Sequence, residues 1–389
     1  MDKVVFNFHD LILVMTAFQC CLFALLLISS KKFKRVSGFL LAGFLGAHAL
    51  IPLHELIFYG AAFRWQVKEI SLNLFFVGSF AYYLDGPILY LYIKSLMYRD
   101  FKIRQVHALH LIPVALYFIY MMFAYYGLEP VTKKQLIDEY TFAHIYHYVS
   151  IDAVIKTMRV VYTIFCLRLI SIYRDRLKET HSSIHEIDLG WLKLLVIGFM
   201  VSMLWETALA TYKVYGLFAT APQSTKEFMG VSSYYLVFAL VNLLLFYSVV
   251  NITSVKKIGK PEQADKQHEP DLINTQYVER IENIMQKDRP YITPNITFDA
   301  LADALDIPSR ELSFTINRHY DMNFYEFINH YRIEEVKIIL ASMEHKDRSI
   351  TDIFMSVGFN SKSVFNTFFK KVVGATPSEY RKSQLAKQA

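Results

Sequence analysis

The chain has 389 residues, of which 54% are apolar or aromatic and only 20% charged, with a mean hydropathy of +0.26; a wholly water-soluble chain usually carries about a quarter charged residues. Fourteen Gly and eleven Pro are too few for a collagen-like or low-complexity chain. The three cysteines, Cys20, Cys21 and Cys166, lie inside apolar runs, which excludes a disulfide framework and a cysteine zinc site.

Residues 1–250 contain seven apolar runs, Leu11–Ser29, Val36–Tyr59, Leu72–Tyr92, His107–Tyr126, Ile151–Ile172, Trp191–Tyr212 and Val231–Val250. Each approaches or exceeds the ~20 residues that an α-helix needs to cross a ~30 Å hydrocarbon layer. The first is too long for a signal-peptide core and is followed by Lys31-Lys32-Phe33-Lys34-Arg35 rather than a small-residue cleavage site, so it is expected to stay. With the segment after the first run placed inside, the inner side holds thirteen Lys and Arg (Lys31, Lys32, Lys34, Arg35, Arg99, Lys102, Arg104, Arg174, Arg176, Lys178, Lys256, Lys257, Lys260). The outer side holds seven, Lys3, Arg64, Lys68, Lys133, Lys134, Lys213 and Lys226. That bias predicts an outer N-terminus and a cytoplasmic tail.

Ionisable residues sit at membrane depth inside these runs: His48, His54 and Glu55 in the second, Asp85 in the third, Lys156 and Arg159 in the fifth and Glu206 in the sixth. Such residues are costly to insert and face the bundle interior. Two readings are open. Either His54, Glu55, Asp85, Lys156, Arg159 and Glu206 line an outward-facing ligand pocket, with Arg159 meeting a carboxylate or phosphate, or Arg159 pairs with Asp85 or Glu206 to fix helix packing. His144 and His147, and likewise His181 and His185, lack a third ligand for a metal, and no metal or other cofactor is expected.

Residues 251–275 are polar, contain two Pro and lack periodicity, which predicts a linker; residues 276–389 are amphipathic and helical throughout. Tyr277, Ile281, Ile284 and Met285 mark one helix. Phe298, Leu301, Ala302 and Leu305 mark a second, with Thr297 able to cap it and Asp306-Ile307-Pro308 ending it. A helix from Pro308 or Ser309 buries Leu312 and Ile316 and leaves Arg310, Ser313, Phe314, Asn317 and Arg318 off its buried face. This is a helix-turn-helix, the unit that sets its second helix into the DNA major groove. A long helix over 323–343, ~31 Å at 1.5 Å per residue, leads to a second such unit over 349–371. There Ile350, Ile353 and Val357 form the first apolar face, Gly358 a left-handed turn position, Phe359 a core contact, and Asn360 or Ser361 the next cap. The following helix buries Phe365 and Phe368 or Phe369 and leaves Ser361, Lys362, Ser363, Asn366, Thr367 and Lys370 as candidate DNA contacts. Thr376-Pro377-Ser378-Glu379 is a capping box that opens a last helix.

The stretch Thr297–Arg381 resembles the DNA-binding domain of the AraC family of bacterial transcription regulators. The resemblance is carried by Leu301-Ala302, Leu312-Ser313, Tyr331-Arg332-Ile333 and Leu340. It continues through Val357-Gly358-Phe359-Asn360-Ser361-Lys362-Ser363-Val364-Phe365, Phe368-Phe369-Lys370-Lys371 and Gly374-Ala375-Thr376-Pro377-Ser378-Glu379-Tyr380-Arg381. Phe314 stands where the family often has a polar or basic residue, and Phe354-Met355 where it usually has a small one. The Asp85–Tyr92 run, with Ser95-Leu96 and His110–Pro113, looks more loosely like the membrane half of membrane-embedded members.

The resemblance implies promoter DNA and RNA polymerase as partners. It implies an all-α chain: a seven-helix transmembrane sensor (1–250), a linker (251–275) and a cytoplasmic two-unit domain (276–389), held in a bacterial inner membrane. The tail carries 19 basic and 19 acidic side chains, so the net charge of +6 belongs to residues 1–250; only Ser361–Lys382 has a local excess, of +4. Modest affinity per tail is therefore expected, with a homodimer for tight binding. The signal, a small molecule or a membrane property, is expected to move the seventh helix and act through the linker. No phosphate loop, Ser-His-Asp set or HExxH motif appears, so no enzyme is expected. The seventh run has no lysine for a retinal Schiff base. The rival readings are a transporter or channel, which would show discontinuous helices or an internal repeat, and a seven-helix receptor whose tail binds protein.

Overall fold

The computed structural model of the protein describes residues 6–29, 36–98, 101–184, 190–251 and 273–388. The predicted linker lies almost wholly outside the described residues, as do Lys3, the basic run Lys31–Arg35, Arg99, His185, Lys256, Lys257 and Lys260. Sixteen α-helices occur among the described residues, and no strand beyond one isolated bridge. The chain forms two compact units: Met1–Ile170 with Leu189–Lys260, and Ser171–Asp188 with Pro261–Ala389.

The first unit contains α1 (Phe8–Ser29), α2 (Val36–Tyr59), α3 (Ala61–Ile70), α4 (Asp85–Met97), α5 (Ile112–Met121), α6 (Pro130–Asp138), most of α7 (Tyr146–Thr180), α8 (Gly190–Tyr215) and α9 (Gln223–Asn251). α1 packs on α2 and α9, α8 on α9, and α2 on α4. Among the described residues, six segments are long and apolar enough to cross a membrane: Phe8–Ser29, Val36–Tyr59, Leu72–Met97, Gln105–Tyr126, Gly190–Tyr215 and Gln223–Phe246. The fifth predicted run is not among them. It lies inside α7, whose 35 residues exceed the span length but carry Asp152, Lys156, Arg159 and Arg168.

The third and fourth runs are not the single α-helices expected. Residues 72–74 and 77–83 are 3-10 turns, separated by Phe76 in the left-handed region, and regular α-helix begins only at Asp85. Pro87 lies in the first turn of α4, where a missing N–H costs nothing. The fourth run is 3-10 over Gln105–Leu111, turns α at Pro113, and closes in a π-turn at Met122–Tyr126. Gly78 fits this path because a Cβ there would come 2.6 Å from the Leu50 carbonyl oxygen. Large apolar side chains such as Phe18, Leu25, Phe118, Phe123 and Phe246 are exposed on this unit.

The second unit contains α10 (Thr275–Lys287), α11 (Phe298–Leu305), α12 (Ser309–His319), α13 (Phe324–Ala341), α14 (Ile350–Ser356), α15 (Lys362–Val373) and α16 (Pro377–Ala386). It has two cores joined by α13. Phe324, Phe327 and Ile328 close one with Ile281, Leu301, Leu305, Leu312 and Ile316. Ile333, Val336 and Leu340 close the other with Ile353, Val357, Phe359, Phe365 and Phe369. Burying both halves of one helix in separate cores makes α13 a common spine. At 18 residues it is about 27 Å long, shorter than expected, because Asn323 is its cap and residues 343–345 turn as 3-10 helix.

Candidate functional site

Local sequence builds each helix-turn-helix. Thr297 Oγ1 accepts from the Ala300 N–H, and Asp306 ends α11 at φ +47°. Ile307 turns into the core at 3% exposure, and Pro308 is the N-cap of α12. Leu312, Thr315 and Ile316 are buried. Arg310, Asn317 and Arg318 are exposed, while Ser313 and Phe314 are half-buried. Asn317 Nδ2 donates to Ser313 Oγ at 3.3 Å, so these two form one polar strip.

In the second unit Gly358 holds φ +93°, and a Cβ there would meet the Ile292 carbonyl oxygen at 2.6 Å; only glycine suits that turn. Ser361 caps α15. Lys362, Ser363, Asn366, Thr367 and Lys370 are all exposed, with Ser361 half-buried at the helix start. Phe369 takes the core position, and Phe368 lies half-buried against Tyr325. Phe354, bulky where the resembled family is small, is buried and stacks on Phe365 with centroids 5.0 Å apart. Thr376 and Glu379 make the reciprocal capping box, which holds the Glu379 carboxyl below its ordinary pKa through the Thr376 N–H.

The local positive charge is smaller in effect than the sequence count. Lys371 pairs with Glu326 at 3.0 Å, and Arg381 turns back towards the Lys346 carbonyl. Lys362 and Lys370 are the basic groups that α15 leaves exposed, besides Lys371.

Two features of this unit were missed in the sequence. Arg332 is 1% exposed and has no carboxylate partner among the described residues; it donates to the Tyr291 carbonyl at 2.7 Å, the Thr293 carbonyl at 3.0 Å and Asn329 Oδ1 at 3.3 Å, and lies 5.5 Å from the Phe359 ring. Burial pushes its pKa down to about 10, so it stays protonated at neutral pH. It bolts the 291–293 turn to α13. The second feature is the strap that follows α7. His181 bridges Thr297, Ser182 donates through both N–H (3.2 Å) and Oγ (2.8 Å) to the Ile296 carbonyl, and Asn329 Nδ2 donates to the Ser182 carbonyl. The segment leading into α11 is thus paired with residues far earlier in the chain, Ile296 with Ser182 at 114 positions and Thr297 with His181 at 116.

In the first unit the buried ionisable residues form a chain. Arg159 Nε and Nη2 donate to Asp85 Oδ2 at 2.9 and 2.7 Å, Arg159 Nη1 to Glu206 Oε2 at 2.5 Å, and Lys156 Nζ to the same oxygen at 2.7 Å. Asp85 is 0% and Arg159 1% exposed. His48 Nε2 is 3.8 Å from Asp85, and neither ring nitrogen has a hydrogen-bond partner among the described residues. Four of the six pocket candidates, His54, Glu55, Lys156 and Glu206, line a cavity of about 1000 Å3, whereas Asp85 and Arg159 lie behind its wall. His144 also lines it, its Nδ1 on the Tyr140 carbonyl, while His147 Nδ1 meets the Tyr120 hydroxyl. Among the described residues no group of three or more His, Cys, Asp or Glu could hold a metal ion. Asp152 and Lys213, also in the cavity wall, were missed; the signal was the helical spacing of Asp152 with Lys156 and Arg159, and of Glu206 with Lys213.

Residues 301–383 match the family model described as a helix-turn-helix domain. The melibiose operon regulatory proteins of two Escherichia coli strains are each 30% identical over 87 residues, 22% of this chain and 28% of theirs. The chain therefore spans under a third of the length of these curated relatives. No solved structure matches. The C-terminal part is a helix-turn-helix domain of the type found in transcription regulators.

Proposed function

We propose that this protein is a membrane-bound, one-component transcription regulator of the AraC type, which binds promoter DNA through α12 and α15 under the control of a signal received by its first unit. The observation that carries this reading is α13. One helix closes both helix-turn-helix cores, so the two units form a single body whose recognition helices both expose polar faces. DNA contacts are assigned to Arg310, Ser313, Phe314, Asn317 and Arg318 on α12, and to Ser361, Lys362, Ser363, Asn366, Thr367 and Lys370 at and on α15. Arg310 has the reach for guanine, and Lys362 lies at the helix start, beside the phosphates.

The first unit spans the bacterial inner membrane, a reading supported by the six apolar segments and completed by α7 as a seventh span. The exposed Phe18, Leu25, Phe123 and Phe246 then face lipid. The tail lies in the cytoplasm as a homodimer and engages RNA polymerase. α7 carries Lys156 and Arg159 in the first unit and ends at the strap in the second, so it offers a covalent route for the signal beside the linker. No enzymatic step is assigned. The interrupted third and fourth spans would also suit a transporter, but that reading leaves a complete double helix-turn-helix domain without a task.

Full-length protein in lipid nanodiscs should bind its own promoter with salt-sensitive affinity. Arg310→Ala should weaken binding by about 5- to 150-fold, an effect of about 1–3 kcal/mol, and relax base preference. Lys362→Ala should lower the salt slope by about one across sequences. Binding unchanged in both variants would contradict the assignment.

A further inference from the structure

The first unit's cavity contains charges that the buried Asp85–Arg159–Glu206–Lys156 chain does not neutralise, and they carry an inference that rests on the sensing role proposed above. At about 1000 Å3 the cavity has room for a ligand of short-peptide size. Glu55 accepts hydrogen bonds from the hydroxyls of Tyr82 (2.7 Å) and Tyr234 (3.1 Å) but closes no ion pair among the described residues. Asp152 and Lys213, in the same wall, make no hydrogen bond or ion pair among the described residues.

Two carboxylates, Glu55 and Asp152, and the Lys213 ammonium thus line one cavity without an ion pair among the described residues, beside the half-buried Lys226 and the exposed Glu227. In a recess of lowered dielectric, half-buried charges without a direct partner are a cost that pairing with a ligand relieves. A ligand that supplies both complements would recover that cost. A simple anion would leave Glu55 and Asp152 without a partner, and a simple cation would do the same to Lys213. The walls favour an ammonium, because tyrosine faces attract cations; Lys156 Nζ already sits 3.3 Å from the Tyr82 ring centroid. Tyr59 and Tyr234 extend the same aromatic lining.

We propose that this cavity binds a zwitterion of the amino-acid or short-peptide class, its ammonium set against Glu55 and Asp152 and its carboxylate against Lys213.

Calorimetric titration of the full chain in nanodiscs with the tripeptide Phe-Ala-Phe, its N-acetylated form and its C-amidated form tests this without DNA. A failure is thereby distinguished from failure of the promoter assay. The unmodified tripeptide should bind at least about tenfold more tightly than either blocked form, since one charge-assisted bond is worth about 1.5–3 kcal/mol. Lys213→Met should abolish the preference over the amide and keep that over the acetylated form; Asp152→Asn should do the reverse. Equal binding of all three peptides, no heat up to millimolar peptide, or variants that keep both preferences would overturn the proposal.

Discussion

Arg332→Met is expected to loosen the DNA-binding unit and weaken promoter binding, although Arg332 lies on no DNA-facing surface. The methionine fills much of the same volume but leaves the Tyr291 and Thr293 carbonyls and Asn329 Oδ1 without their donor. A buried acceptor left unpaired costs about 1–3 kcal/mol. Relief of the burial that lowers the Arg332 pKa to about 10 offsets part of this. The carbonyls belong to the backbone and cannot be removed with the cation, so the acceptor loss wins, at a net of about 2–4 kcal/mol against a domain stability of about 5–15 kcal/mol. Arg332→Lys, with one ammonium in place of a three-way fork, should fall between. Hydrogen exchange on the full chain reads the effect directly: the α13 amides should exchange about 30- to 1000-fold faster in Arg332→Met. Wild-type rates would show that Arg332 is not a bolt.

The second large effect is expected in the first unit. Arg159→Met leaves Asp85, at 0% exposure, with the Gly86 N–H at 2.6 Å and a His48 nitrogen at 3.8 Å as its nearest partners. Glu206 keeps Lys156. Breaking a buried pair by removing one member costs about 3–5 kcal/mol, because the remaining charge is uncompensated. The detergent-solubilised variant should therefore unfold at a clearly lower temperature. Asp85→Asn made together with Arg159→Met should recover part of the loss, since it removes the stranded charge. A double variant no better than Arg159→Met alone would argue that Arg159 acts through packing.

What the sequence made legible was local chemistry. Thr297, Ser361 and Thr376 with Glu379 are caps whose partners lie three residues away, and Gly358 marks a turn only glycine fits, so residue order alone placed them. The helix-turn-helix faces followed from helical spacing. The apolar runs were legible as runs, but composition does not distinguish α from 3-10 backbone. Pro87 and Pro113 were the available signs that regular helix starts late in the third and fourth runs. The sequence reading left open whether Arg159 binds ligand or pairs within the protein; its partners, 74 and 47 positions away, emerge only in three dimensions. The strap pairing of Ser182 with Ile296 lies in the same class, since nothing near Ser182 announces a partner 114 positions on. Arg332 did leave a trace: it falls four residues from both Ile328 and Val336, on the buried stripe of α13, where an arginine needs buried acceptors.

The account turns on one chain being held in lipid while its tail occupies promoters. Crosslinking intact cells, washing the membrane fraction and sequencing the DNA that stays with the full-length protein tests this in one measurement. The account predicts a small set of discrete promoter fragments that disappears when Arg310 and Lys362 are both replaced by Ala. Membrane-bound protein that retains no DNA above that double variant would contradict it.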